Sequence, residues 1–391
     1  MTFDLQRARL ETPGTAHVLH FNNAGSSLTS QPVLDATIAY LQREAQIGGY
    51  EAAIESSETL ADTSRAAAKL VGAAPEEIAL TGSADEAWNR AFYSIPFKPG
   101  DRVLTSMAEY HSNYIVYLQA QKRLGITVEA VPNDKQGQFD VAALRRMIDK
   151  RVRLISVTHV PTSGGLVNPA AEIGKVAREH GILYLLDACQ SVGQMPINVD
   201  AIGCDLLSTT GRKYLRAPRG TGFLYVRNAI VDQLEPYTIS GYSAQWVSPD
   251  TYQISAGARR FENFESNKAA VVGLGVAIDY AMAWGLDTIW RRVRTLAYEL
   301  RSQLAALPGV LIHDRGIVQC GIVTFSVEDR DPDGIQRLLQ EQQINVTVAE
   351  RRSTLLDMSD RGLESMLRAS VHYYNSEEEI ERFVRVIDGL L

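Results

Sequence analysis

Between about residues 75 and 230, short apolar runs alternate with amphipathic stretches, and this alternation constrains the fold more than any other feature of the chain. The runs are Ile78-Ala-Leu, Arg102-Val-Leu-Thr, Thr127-Val-Glu-Ala-Val, Leu154-Ile-Ser-Val-Thr, Leu183-Tyr-Leu-Leu-Asp187, Leu206-Leu-Ser and Gly222-Phe-Leu-Tyr-Val. Segments between them, such as 86–93, 141–149 and 171–179, carry apolar residues at helical spacing. Strands alternating with helices predict an α/β fold with a mostly parallel sheet covered on both faces. Residues 28–70 read as helices, opened by Ser30-Gln31-Pro32. After Ser266 two helix-like stretches, 268–284 and 286–307, lead into a tail that starts at Val310. The tail reads strand, strand, helix, strand, helix, with 320–327 and 344–348 the clearest strands, and predicts a separate small α+β domain.

Charge and cysteine usage exclude several functions. The net charge of -7 argues against a nucleic-acid partner, which wants a basic surface. Cys189, Cys204 and Cys320 make neither a CxxC nor a zinc pattern, so no metal is expected. An odd, sparse cysteine count suits a reducing, cytoplasmic setting. Met1-Thr-Phe-Asp-Leu lacks the charged-then-apolar pattern of a signal peptide, and no apolar run approaches the length of a membrane span.

In open α/β sheets ligands sit at the carboxyl ends of the strands, so the residues just past each apolar run are the candidates. Leu183-Tyr-Leu-Leu ends in Asp187-Ala-Cys-Gln190, and Leu206-Leu-Ser leads into Thr210-Gly-Arg-Lys213. Ile78-Ala-Leu ends in Thr81-Gly-Ser-Ala-Asp-Glu ahead of a helix, and Val103-Leu-Thr ends near Glu109-Tyr-His. Taken singly, each has a plain structural reading. Asp187 reads equally well as a helix cap, a lone lysine is far more often a surface residue than a nucleophile, and Gly82-Ser83 opens many helices. Together, an anion-binding turn, an aromatic, an acid and a lysine at successive strand ends are the set that pyridoxal phosphate (PLP) chemistry needs. A lysine condenses with the aldehyde, a carboxylate keeps the pyridine nitrogen protonated, and an aromatic stacks on the ring.

At this point the sequence resembles the class V aminotransferase family of fold type I PLP enzymes, over nearly the whole chain. The resemblance rests on Phe21-Asn-Asn-Ala-Gly25, Gly82-Ser-Ala-Asp-Glu-Ala-Trp-Asn89, Ala108-Glu-Tyr-His111, Gly165-Leu-Val-Asn-Pro169, Asp187-Ala-Cys-Gln190, Gly211-Arg-Lys-Tyr214 and Arg368-Ala-Ser-Val-His-Tyr-Tyr-Asn375. It implies an N-terminal arm (1–20), a large PLP-binding domain with a seven-stranded, mostly parallel sheet between helices (21–265), and connecting helices with a small C-terminal α+β domain (266–391). It makes Lys213 the Schiff-base lysine, pairs Asp187 with the pyridine nitrogen and Gln190 with the ring hydroxyl, and puts Thr162 at the cofactor. Ser83, Ala84, Thr210 and Arg212 are implied beside the phosphate, and Tyr110 on the ring, with His111 as the other candidate. Ser266 matches a loop that reaches the neighbouring subunit's phosphate, which implies a homodimer. Arg368 is implied as the clamp on the substrate carboxylate, with Asn23, Gly25 and Tyr50 at the substrate mouth.

Within the family, a cysteine desulfurase is expected to carry a sulfur-accepting cysteine shortly before the carboxylate-binding arginine. Residues 348–360 contain none. That absence, with Arg43-Glu-Ala-Gln-Ile-Gly-Gly-Tyr-Glu-Ala-Ala53, resembles the C–S lyase branch, which includes hercynylcysteine sulfoxide lyase and the cysteine S-conjugate enzymes of lincosamide antibiotic pathways. The expectation is therefore β-elimination on a cysteine S-conjugate or its sulfoxide, with Lys213 as base and Tyr110 assisting. The alternatives are decarboxylation-coupled oxidative deamination, a desulfurase, aminotransferase or epimerase, and a PLP-binding regulator without turnover. Arg216, Arg219, Arg259, Arg260, Arg351 and Arg352 read first as exposed charge and second as readers of a polar substrate tail.

Overall fold

A computed structural model describes residues 3–391. Its centre is a seven-stranded sheet of Ile78–Thr81, Arg102–Ser106, Thr127–Val131, Val152–Thr158, Leu183–Asp187, Leu206–Thr210 and Gly222–Val226. Across the sheet the strands beginning at 78, 222, 206, 183, 152, 102 and 127 lie side by side in that order. Five neighbouring strands, from 206 to 127, pair in parallel, and Gly222–Val226 runs antiparallel to both of its neighbours. All seven apolar runs in the sequence are strands of this sheet, and the architecture is the mostly parallel α/β fold that the alternation predicts. Arg102–Ser106, Leu206–Thr210 and Gly222–Val226 are buried at every position, as a sheet covered on both faces requires.

The strand order places the site. After Arg102–Ser106 the chain first extends the sheet outward to Thr127–Val131, then returns to lay Val152–Thr158 on the other side. Such a reversal opens a crevice at the carboxyl ends of the strands that flank it. Thr105, Thr158 and Asp187 all lie at or near those ends.

Local chemistry sets the helix boundaries around the crevice. Ser83 caps the helix Ala84–Ser94 by accepting from the Glu86 N–H at 3.1 Å. Gly181, in the left-handed region at φ 63°, ends the helix Ala170–His180 and lets the chain enter the next strand.

A second, antiparallel sheet has the order Val310–Ile312, Ile322–Val327, Ser365–Ser370, Thr347–Glu350. Two features depart from the sequence reading. Ser365–Ser370 is an additional internal strand, and it carries Arg368. The expected strand at 344–348 divides in two: Ile344–Asn345 pairs in parallel with Leu19–His20, while Thr347–Glu350 enters the sheet. The N-terminal segment is thus hydrogen-bonded to the C-terminal one. Ala244–Ser248 and Thr251–Ile254 form an exposed hairpin that the sequence reading also lacks, because its apolar residues Trp246 and Tyr252 face solvent instead of a core. The helix Lys268–Trp284 packs on Gln31–Ile47 and Ser57–Val71. Among the described residues no single helix is long and apolar enough to cross a membrane.

Candidate active site

The strand Leu183–Asp187 delivers Asp187 to the crevice. Its carboxylate accepts from the Asn113 amide at 3.0 Å and from the Cys189 backbone N–H at 3.0 Å. The Asn113 amide also donates to Glu109 Oε1 at 2.9 Å. Glu109 is buried and accepts further bonds from Thr105 Oγ1, from Thr158 Oγ1 and from the Tyr110 N–H. Burial, reinforced by the neighbouring Asp187 charge, pushes the Glu109 carboxyl up. Sequence reading singled out neither Asn113 nor this role for Glu109. Asn113 lies in the first turn of the helix that begins at His111, one turn after Glu109, and that spacing was the available signal.

Lys213 follows the strand Leu206–Thr210 and is buried. Burial pushes its ammonium pKa down, with Arg212 and Arg368 adding to the shift and Cys189 and Asp187 opposing it. A lowered pKa favours the neutral amine that condenses with an aldehyde. Lys213 Nζ lies 5.9 Å from the centre of the Tyr110 ring. Tyr110 lines the same cavity as Lys213, Asp187, Asn113 and Gln190, whereas His111 lines a separate groove with Arg352 and Leu355.

Arg216 holds the turn after Lys213. Its N–H donates to the Lys213 carbonyl at 3.0 Å, and its backbone is left-handed at φ 63°, uncommon for a side chain of this size. The guanidinium donates to Leu28 O at 2.8 Å, Thr12 Oγ1 at 2.6 Å and Tyr373 Oη at 2.5 Å, and lies 4.7 Å from the centre of the Tyr374 ring. Arg216 is therefore not exposed charge. It is a buried cation held by carbonyl and hydroxyl oxygens and aromatic faces, tying the lysine turn to both ends of the chain. Arg260 is likewise buried, bonded to Val231 O and Asp232. Arg351 and Arg352 remain on the outside, paired with Glu364 and Glu350.

Arg368 projects from the added strand. It donates to Thr162 O at 3.0 Å, to Thr162 Oγ1 at 2.7 Å and to Asn22 Oδ1 at 3.3 Å, and its Nε is buried without a partner. Burial pulls its pKa down to about 10, which leaves it cationic at neutral pH. Asn22, not Asn23, faces this guanidinium. The Asn23 amide is committed to Ser370 O and His20 O, and its Oδ1 accepts from the Tyr374 hydroxyl, so Asn23 serves as a structural tie. Gly25 makes room for Asn22, because a Cβ there would lie 2.6 Å from Asn22 Oδ1.

The remaining expected residues divide between the cavity and its surroundings. Ala84 and Thr162 line the cavity. Ser83 caps the helix beside it, and the Gly82 N–H is taken by Glu86 at 2.7 Å, with Glu86 in turn paired to Arg90. Arg212 donates to Thr210 Oγ1 at 3.1 Å just before Lys213. Ser266 lies in a separate, broader cleft with Thr81 and Gly82, where it accepts from Lys268 at 2.8 Å. Tyr50 is 70% exposed and stands outside the cavity, two residues after Gly48 closes the helix Gln31–Ile47.

The cavity opens where the strands Val152–Thr158 and Leu183–Asp187 end, walled by Thr158, Asp187, Tyr110 and Lys213. Its wall includes Gln190, whose Oε1 is buried and unpartnered while its Nε2 donates to Ala24 O at 3.0 Å. A buried acceptor without a donor is costly unless a ligand supplies one, and a phenolic ring hydroxyl is such a donor. The donor set therefore fits PLP: an amine with a lowered pKa, a buried carboxylate, a free amide oxygen and a capped helix start.

A family model, aminotransferase class-V, matches residues 19–383. The chain belongs to the class V aminotransferase family. PLP is its cofactor. The chain is 30% identical over 379 residues to a probable cysteine desulfurase of Methanothermobacter thermautotrophicus, covering 95% of this chain and 94% of that one. It is 30% identical over 389 residues to a probable cysteine desulfurase of Pyrococcus abyssi, covering 98% and 96%. The apo structure of the cysteine desulfurase from Thermococcus onnurineus superposes with a TM-score of 0.93 at 29% identity, over 100% of this chain and 98% of that one.

These relatives overturn the expected C–S lyase assignment and its cysteine S-conjugate substrate. The expectation leaned on the missing loop cysteine. Lysine, acid and carboxylate clamp are needed by either reaction, and a missing loop thiol bears only on which group accepts the sulfur.

Proposed function

We propose that this chain is a PLP-dependent cysteine desulfurase, converting cysteine to alanine with transfer of its sulfur. The observation that carries the reading is the convergence of Lys213 and Asp187 on one cavity, with Arg368 bonded to Thr162 in its wall, in a chain aligned nearly end to end with relatives named probable cysteine desulfurase. The cofactor, when bound, supplies the electron sink for charge developing at the substrate Cα. Lys213 would hold the cofactor, and its amine is the base placed to take the Cα proton. Asp187, oriented by Asn113 and the Cys189 N–H, keeps the proton on the pyridine nitrogen. Arg368, a buried guanidinium whose Nε has no partner, binds the substrate carboxylate. Tyr110 covers the cavity on the side that faces Lys213 Nζ.

Two further parts of the reading concern assembly and location. The exposed Tyr50 and the Ser266 loop, both outside their own cavity, are assigned to a homodimer in which Ser266 approaches the neighbouring site. Three free cysteines suit a cytoplasmic, reducing setting.

The test is to incubate the PLP-loaded protein with L-cysteine and a thiol reductant and to follow amino-acid products. The reading expects alanine in amounts that exceed the enzyme many times over. Pyruvate and ammonia in place of alanine would overturn it.

A further inference from the structure

Moving sulfur off cysteine with alanine as the product requires a nucleophile at Sγ, and a thiolate is the natural one. The chain has three cysteines, all free and buried. Cys204 precedes the five-residue strand Leu206–Thr210, and Lys213 follows it, so that thiol lies at the opposite, amino end of the strand, roughly 15 Å away at the rise of an extended strand. Cys320 packs among Ala24, Val160 and Tyr214. Burial pushes both thiols up to about 12.

Cys189 is the one thiol in the cavity wall. It is 9% exposed and sits between Asp187, which accepts from its N–H, and Gln190. Burial, with the Asp187 charge beside it, pushes this thiol up as well. A thiol held protonated next to a carboxylate is a poor nucleophile at neutral pH. On the outer side, where Arg352, Ser353 and Leu355 face His111 across a groove, residues 351–360 offer no thiol.

Resting on the desulfurase reading, we propose that the sulfur acceptor is a second substrate, a thiol outside these 391 residues, which enters the cavity and takes sulfur directly from cysteine. The incoming thiol loses its proton and its sulfur attacks the substrate Sγ. An S–S bond forms as the Cβ–Sγ bond breaks, and the pair from the broken bond stays with Cβ, which takes a proton. Cysteine and RSH become alanine and RSSH, with no outside oxidant or reductant.

The test uses the PLP-loaded protein, cysteine carrying heavy sulfur, and glutathione as the probe thiol, with persulfides trapped by alkylation. Alanine formation is expected to rise several-fold as glutathione exceeds cysteine. Heavy sulfur is expected on glutathione, and protein quenched within the first turnover should carry none. A burst of alanine equal to the enzyme, with heavy sulfur on Cys189, would overturn the external acceptor and leave the desulfurase reading standing. Heavy sulfide released at a rate indifferent to glutathione would overturn it too. No alanine with or without glutathione would remove the desulfurase reading, and this inference with it.

Discussion

Asn113 donates its side-chain amide to Asp187 at 3.0 Å, and the same amide reaches Glu109 at 2.9 Å. One neutral residue thereby separates two buried carboxyls and fixes the one assigned to the cofactor nitrogen. Asn113→Ala leaves Asp187 short of a donor and facing Glu109 directly. A hydrogen bond to a charged group contributes about 1.5–3 kcal/mol, so cofactor affinity is expected to fall roughly tenfold to a hundredfold. Titration of the apo variant with PLP, followed by visible absorbance, measures this. Unchanged affinity would show that the bridge does not position Asp187.

Arg368 is predicted to act on substrate binding ahead of cofactor binding. Arg368→Ala should raise KM for cysteine by tenfold or more while leaving the absorbance of the bound cofactor in place. Arg368→Lys should restore little, because an ammonium cannot make the paired contacts of a guanidinium. Steady-state kinetics alongside the spectrum separates the two effects, and full rescue by lysine would count against the clamp.

Arg216 is a buried cation whose partners are neutral. Arg216→Met removes the bonds to Thr12, Leu28 and Tyr373 and leaves their oxygens unpaired. A loss of about 3 kcal/mol or more is expected, read as a lower urea midpoint. The lysine turn should loosen with it, so PLP affinity should drop although the Arg216 side chain does not line the cavity. A stable variant with normal affinity would refute the tie.

His159 supplies a pH prediction. It is buried, its Nδ1 has no partner, and burial depresses its pKa to about 4. The unfolded chain takes up the proton near the ordinary value of about 6.5. The folded form resists it until about pH 4. Stability from the neutral imidazole is therefore present above about pH 6.5 and lost as pH falls through that window toward 4. Urea midpoints at pH 7 and pH 5 should differ more for the native chain than for His159→Gln. Equal pH dependence in the two would contradict this.

The sequence makes the large sheet legible because its strands are short apolar runs, most of them ended by polar residues. The shared cavity of Lys213, Asp187, Gln190 and Tyr110 is legible for the same reason, since Asp187 ends a strand and the other three stand just past one. What escaped reading was contact across long separations. Asn113 and Asp187 are 74 residues apart, and Arg216 and Thr12 are 204 apart, so no local pattern announces either pair. The strand Ser365–Ser370 was hidden by the arginine at its centre, which is charged because it faces the site. Asn22 and Asn23 are adjacent and identical, and only the turn at Gly25 shows which one faces Arg368.

The account depends most on Lys213 as the residue that carries the cofactor. Reduction of the PLP-loaded protein with borohydride, followed by peptide mapping, reads that directly. The phosphopyridoxyl group is predicted on Lys213 alone, and Lys213→Ala should lose both the label and the visible absorbance. A label on another lysine, or an Ala variant that keeps its absorbance and turnover, would contradict the account.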